Sequence, residues 1–231
     1  MEIDKPMARF NFLFKKPLKL SRTLCRCRDC IMPRMLANIM RARRTDEEMP
    51  VLELIPKPFL FVRHGETFHN RARIVAGRLD VVLTDKGKQQ AIAAREKLAG
   101  WHASVVASSP QFRARQTAML AVPGCRPLLL EGLCERDWGP LELGPILLPM
   151  PYLDPPEGAE AWEHFVERVG RTINALLERY ERPLIFAHSG VFRVIRHLAF
   201  GTHEGPRIGN VEPTQILPPD QHSGSWRFEP L

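Results

Sequence analysis

Pro58-Phe59-Leu60-Phe61-Val62-Arg63-His64-Gly65 and Leu184-Ile185-Phe186-Ala187-His188-Ser189-Gly190 are built alike. In each, an unbroken apolar run leads to a histidine, and a glycine follows within two residues. An apolar run without polar alternation predicts a strand buried on both faces, and the glycine predicts a turn where that strand ends. In open α/β sheets, ligands bind outside the carboxyl ends of the strands. His64 and His188 are therefore expected at one crevice if their strands are near neighbours.

The segments between these runs supply helices. Thr84-Asp85-Lys86-Gly87 opens a helical stretch with Ala91, Ala94 and Leu98 on one stripe. Ser104–Ser108 predicts a second buried strand. Ser109-Pro110 then offers an N-cap and a first-turn proline for a helix running through Met119. Arg126–Leu130 is a third strand candidate, and the proline-rich stretch 139–158 is expected to be irregular. Trp162, Phe165, Val169, Ile173, Leu176 and Tyr180 recur at helical spacing and give the clearest amphipathic helix. Val191–Phe200 predicts a last helix. Alternating strands and helices imply an α/β protein, a three-layer α/β/α sandwich with a mostly parallel central sheet.

Of the 231 residues, 44% are apolar and 26% charged, enough to bury a sizeable core and unlike a disordered chain. No apolar run approaches the ~18 residues of a membrane span, so none is expected. The net charge of +7 suggests nucleic acid until it is located. Residues 1–44 carry 12 Lys and Arg against 3 acidic residues, and the rest of the chain carries 21 against 23. The basicity belongs to an arm, so no nucleic acid is expected for the body.

Residues 1–50 show no sustained period and read as a basic, poorly ordered extension, with the folded domain at 51–231. Met32, Met35, Met40 and Met49 precede the body, so an upstream start codon is the alternative account of the extension. Cys25, Cys27 and Cys30 offer three thiolates where structural zinc wants four ligands, and no nearby histidine completes the set. No metal and no cofactor are expected. Five cysteines, three of them crowded together, make a poor disulfide framework and point to a reducing, cytoplasmic setting.

The expected crevice is built for an anion. Arg63 adjoins His64, Arg113 falls in the first turn of the helix after Ser109-Pro110, and a helix begins directly after His188. Two guanidinium groups and a helix amino end disfavour a cation and suit a tetrahedral phosphate, which accepts bidentate forks. A neutral imidazole facing phosphorus can act as a nucleophile and form a phosphohistidine. Glu135, after the third strand candidate, is the carboxyl placed to protonate a leaving alkoxide.

Phe61-Val62-Arg63-His64-Gly65-Glu66-Thr67-Phe68-His69-Asn70 closely resembles the Arg-His-Gly-x-Thr-x-x-Asn signature of the histidine phosphatase superfamily, in its phosphoglycerate-mutase-like branch. Further matches follow in the family's order: Gly77-Arg78-Leu79-Asp80, Leu83–Gly87, Ser108-Ser109-Pro110 with Arg113–Ala118, Glu135–Gly139, and Ala187–Val191. The resemblance spans about residues 58–215. It implies His64 as the phosphorylated nucleophile, with Arg63, Arg113 and His188 around the phosphate. It further implies Asn70 on a phosphate oxygen, Ser189 acting through its backbone N–H, and Glu135 as acid and then base.

The same resemblance sets the functional alternatives. The family's mutases carry a long insert between the acidic Glu and the second His, whereas Glu135 and His188 are 53 positions apart. That spacing favours a metal-independent phosphatase acting on a small phosphorylated substrate. Phosphoglycerate mutase-type transfer and a non-catalytic phospho-ligand binding protein are the alternatives. Two departures from the family pattern, Pro156–Ala161 and Leu141–Gly144, fall on the substrate side. The oligomeric state is not legible.

Overall fold

In the computed structural model, residues 52–221 and 223–231 are described. The basic extension and its three cysteines lie outside the described residues. Six strands form one sheet: β1 (Phe59–Arg63), β2 (Val105–Ser108), β3 (Leu128–Leu129), β4 (Pro183–Ala187), β5 (Thr214–Leu217) and β6 (Arg227–Pro230). Their order is β3-β2-β4-β1-β5-β6. The first four run parallel, and β5 and β6 add antiparallel to the β1 edge. The helices are α1 (Phe68–Ala72), α2 (Asp85–Ala93), α3 (Arg95–Ala99), α4 (Phe112–Ala121), α5 (Trp162–Arg179) and α6 (Ser189–Phe200).

The apolar runs explain why β1 and β4 lie at the centre. Every residue of both strands is buried. Successive side chains of a strand point to opposite faces. Phe59, Phe61, Ile185 and Ala187 accordingly join one core with Phe165, Val169, Ile173 and Leu177 of α5 and Val191 and Ile195 of α6. Leu60, Val62, Leu184 and Phe186 join a second core with Ala91 of α2, Leu98 of α3 and Ala118 of α4. Two cores on two sheet faces give the three layers expected from the alternating pattern.

Three local expectations need correction. The helix after Ser109-Pro110 starts only at Phe112, and Ser109 does not cap it. Gln111 occupies the cap position, and Asp80 Oδ1 accepts the Phe112 N–H at 2.6 Å, so a distant carboxylate does the work of a cap. The stripe Ala91-Ala94-Leu98 is carried by two helices broken at Ala94, although Thr84 does cap α2 through the Gly87 N–H. The third strand is only two residues long. Among the described residues, no helix is long and apolar enough to cross a membrane.

Candidate active site

Sheet register places the two histidines side by side. Arg63 stands opposite Ala187, so the next residue of each strand leaves the sheet at the same level. The His64 N–H donates to the Ala187 carbonyl at 3.0 Å, and the two imidazole centroids are 5.3 Å apart. β2 contributes in the same way. Ser108 stands opposite Phe186, the Ser109 N–H donates to the Phe186 carbonyl at 3.0 Å, and Ser109 Oγ lies 2.9 Å from His188 Nε2.

The His64 ring has one defined tautomer. Its Nδ1 is 2.8 Å from the Gly65 carbonyl, which can only accept, so Nδ1 carries the proton and Nε2 keeps a bare lone pair. Burial, and then the charges of Arg113 and Arg63, push its pKa well below 6.5. Burial and Arg113 lower His188 in the same direction, followed by His64 and Arg63. Both rings are therefore neutral at neutral pH.

Arg63 and Arg113 are anchored through their Nη atoms. Arg63 Nη1 donates to the Ile208 carbonyl at 2.9 Å. Arg113 Nη1 and Nη2 donate to Leu79 and Gly77 carbonyls at 2.7 and 2.8 Å. Burial, then Arg207, lowers Arg63 to about 10, which still leaves it cationic. Arg63 Nε, Arg113 Nε and His188 Nδ1 are buried without a hydrogen-bond partner. Buried polar atoms in folded proteins nearly always have partners, and the two arginine Nε–H groups can only donate, so they mark a place kept for an acceptor.

Asn70 sits in a capping box, where its Oδ1 accepts the Thr67 N–H and its own N–H donates to Thr67 Oγ1. Oδ1 also accepts from Asn210 Nδ2 at 3.2 Å, leaving the amide nitrogen of Asn70 as the end that can meet a ligand. Glu135 is buried. Its Oε1 accepts the Arg136 N–H at 2.9 Å, and its Oε2 accepts the Gly190 N–H from the first turn of α6 at 3.1 Å. A Cβ at Gly190 would collide with Glu135 Oε1, so only glycine permits this approach. Arg168 secures the same loop by donating to the carbonyls of Gly132, Cys134 and Glu135.

Arg63, His64, Asn70, Arg113, Glu135 and Ser189 line one pocket. His188 does not line it; the ring is fully buried against His64. Tyr152 and Arg207 also line the pocket, and neither is foreseen from the sequence. Burial, then the charge of Glu135, pushes the Tyr152 hydroxyl up to about 12, so it stays a donor. Tyr152 is held by Arg136, a fully buried guanidinium that donates to the Tyr152 and Glu160 carbonyls and stacks 4.6 Å over Trp138. Asn210, also unforeseen, donates to the His64 carbonyl at 2.8 Å. Among the described residues, no three His, Cys, Asp or Glu side chains are grouped as a metal would need.

The chain is 32% identical over 154 residues to the phosphoglycerate mutase-like protein 4 of Arabidopsis thaliana, covering 57% of this chain and 66% of that one. It is 30% identical over 156 residues to the metal-independent phosphoserine phosphatase of the same plant, covering 59% and 66%. It spans two thirds or less of the length of such curated relatives. Among solved structures, the phosphoglycerate mutase of Thermus thermophilus superposes with a TM-score of 0.59 at 29% identity, covering 75% of this chain and 99% of that one. A mycobacterial glucosyl-3-phosphoglycerate phosphatase superposes with 0.64 at 22% identity, covering 75% and 98%, a likeness of fold. The model of the histidine phosphatase superfamily, branch 1, matches residues 59–229, most of the chain. The strand-end histidines thus stand in a known frame: this chain belongs to the histidine phosphatase superfamily.

Proposed function

We propose that residues 51–231 form a metal-independent phosphomonoester hydrolase acting on a small phosphorylated metabolite through a phosphohistidine on His64. The observation that carries this reading is the bond between His64 Nδ1 and the Gly65 carbonyl, which leaves Nε2 as a neutral nucleophile beside two anchored guanidiniums. Nε2 attacks phosphorus, an N–P bond forms and the ester P–O bond breaks, its electron pair leaving with the alkoxide. Glu135, as the carboxylic acid, protonates that alkoxide. Water then attacks the phosphohistidine, gives its proton to the Glu135 carboxylate, and phosphate departs from a neutral His64. Arg63, Arg113, His188, Asn70 and the Ser189 N–H bear the charge of the transferring group.

The test is a rapid alkaline quench with a radiolabelled phosphomonoester. Acid-labile label on His64, lost in His64→Asn, is expected, with free phosphate as the final product. Label on a serine, cysteine or carboxylate would falsify the assignment. Fast exchange between 2- and 3-phosphoglycerate in place of phosphate release would establish the mutase alternative. Tight phosphate binding with no label at all would establish a non-catalytic binder.

A further inference from the structure

A second cavity of about 230 Å³ opens beside the phosphate pocket and shares Ile146, Met150, Tyr152, Ser189 and Arg207 with it. A group bonded to a phosphate at His64 has this cavity as its neighbour, so its lining bears on which alcohol the site accepts. Beyond the shared border, the wall is made by Leu147, Leu148, Pro149, Phe192 and Ile208. Leu147 and Leu148 are 41% and 66% exposed, a cost in water that an apolar ligand would remove.

The charged side chains of the lining are Arg193, Arg207 and Glu204. Arg193 Nη1 donates to the His203 and Gly205 carbonyls at 2.8 Å each. Glu204 also lines the cavity and would repel a second anionic group. Arg207 lines both this cavity and the phosphate pocket.

The wall is also preformed. The Ile146 N–H donates to the Arg73 carbonyl at 2.8 Å, and the Tyr152 carbonyl accepts from Arg136. The 146–152 segment is thus tied to the body at both ends, with its leucines between the ties. Tyr152 is braced by His203 at 5.3 Å between ring centroids.

Resting on the hydrolase reading for its phosphate end, we infer that this site selects monophosphates of apolar alcohols, the alkyl or aryl body lying against Leu147, Leu148 and Ile208. Leu148 is a specificity-determining residue that touches the alcohol and not the reacting atoms.

The test is calorimetric binding of ethyl-, butyl- and hexylphosphonate to the full chain. These analogues cannot be hydrolysed, and their phosphonate charge is nearly constant. Burying one methylene contributes about 0.8 kcal/mol, so affinity is expected to rise about fourfold per methylene until the cavity is filled. Leu148→Asp is expected to cut the hexyl-to-ethyl affinity ratio about tenfold or more. Equal affinity along the series, or tighter binding of 3-phosphonopropionate than of butylphosphonate, overturns the inference. Because binding is read without turnover, this result is independent of whether His64 becomes labelled. A protein that shows the chain-length trend but forms no phosphohistidine retains the specificity assignment and loses the hydrolase reading.

Discussion

Ser109 Oγ lies 2.9 Å from His188 Nε2, while His188 Nδ1 is buried without a partner. The serine hydroxyl also accepts the Gln111 N–H at 3.3 Å and faces Cys134 Sγ at 3.8 Å. A hydroxyl can donate or accept, so it holds the His188 ring in one orientation whichever nitrogen carries the proton. The serine that the sequence offers as a helix cap is committed to the second histidine.

Ser109→Ala should therefore lower the rate of His64 phosphorylation about fivefold, the size expected from losing one buried hydrogen bond of about 1 kcal/mol. The loss should be the same for alkyl and aryl phosphates, because His188 is proposed to support the phosphoryl group and not the leaving group. Ser109→Thr keeps the hydroxyl and should recover most of the rate. Stopped-flow burst measurements decide it, and no recovery in Ser109→Thr alongside an unaltered fold would remove the positioning role.

Buried neutral histidines also set a pH dependence of stability. His64 and His188 have folded pKa values well below 6.5, so below that pH the unfolded chain binds protons that the folded chain does not. Stability must then fall as pH drops below 6.5, by up to about 1.4 kcal/mol per pH unit for each histidine, and level off below the folded values. Urea midpoints between pH 7 and 5 should show the decline, and the double variant His64→Gln, His188→Gln should flatten it. An equally steep decline in the double variant would assign it to other groups.

Gly190→Ala offers a steric test of Glu135. An added Cβ falls on Glu135 Oε1 and comes 3.2 Å from Phe165 Cε1. Overpacking of this kind costs about 1–3 kcal/mol of stability. The larger effect should be on the burst with alkyl phosphates, as the displaced carboxyl no longer reaches the leaving oxygen. A variant that burdens alkyl and aryl substrates equally would show that the collision is absorbed elsewhere.

Legibility follows the range of the interactions involved. The runs 59–62 and 184–187 announce central strands because both faces are buried, and their terminal histidines, with Arg63, follow at once. β5 is not legible because only Thr214 and Ile216 of its four residues are buried, nor is β6, because Arg227–Pro230 is partly exposed and ends in proline. Arg207 and Asn210 lie on a connection without periodicity. What brings that connection to the site is long-range: the Val211 N–H donating to the Arg63 carbonyl and Asn210 to that of His64. Tyr152 reaches the pocket only because Arg136 ties the proline-rich segment to the Glu135 loop. A local pattern cannot announce a position that a distant guanidinium imposes.

Glu135→Gln and His188→Ala should separate protonation of the leaving group from stabilisation of the phosphoryl group. Protonation matters when the leaving oxygen is a strongly basic alkoxide and matters little for p-nitrophenolate. Glu135→Gln keeps size but cannot deliver a carboxyl proton, and its single carbonyl oxygen can replace only one of the two carboxylate oxygens that accept the Gly190 and Arg136 N–H groups. It should slow phosphorylation by alkyl phosphates by roughly 10²–10⁴, the usual contribution of general acid catalysis, and by aryl phosphates far less. His188→Ala withdraws an imidazole from beside His64 whose proposed support of the phosphoryl group does not depend on the leaving group, and should slow both classes alike. The comparison must follow the phosphorylation burst, because Glu135 is also proposed as the base when water attacks the phosphohistidine, and steady-state rates would merge the two steps. Equal losses for both leaving groups in Glu135→Gln would transfer the acid role to another carboxyl. Asp137, whose Oδ1 accepts the Gly139 N–H, and Glu142, whose Oε1 accepts the Arg78 and Trp138 N–H groups, are the next candidates.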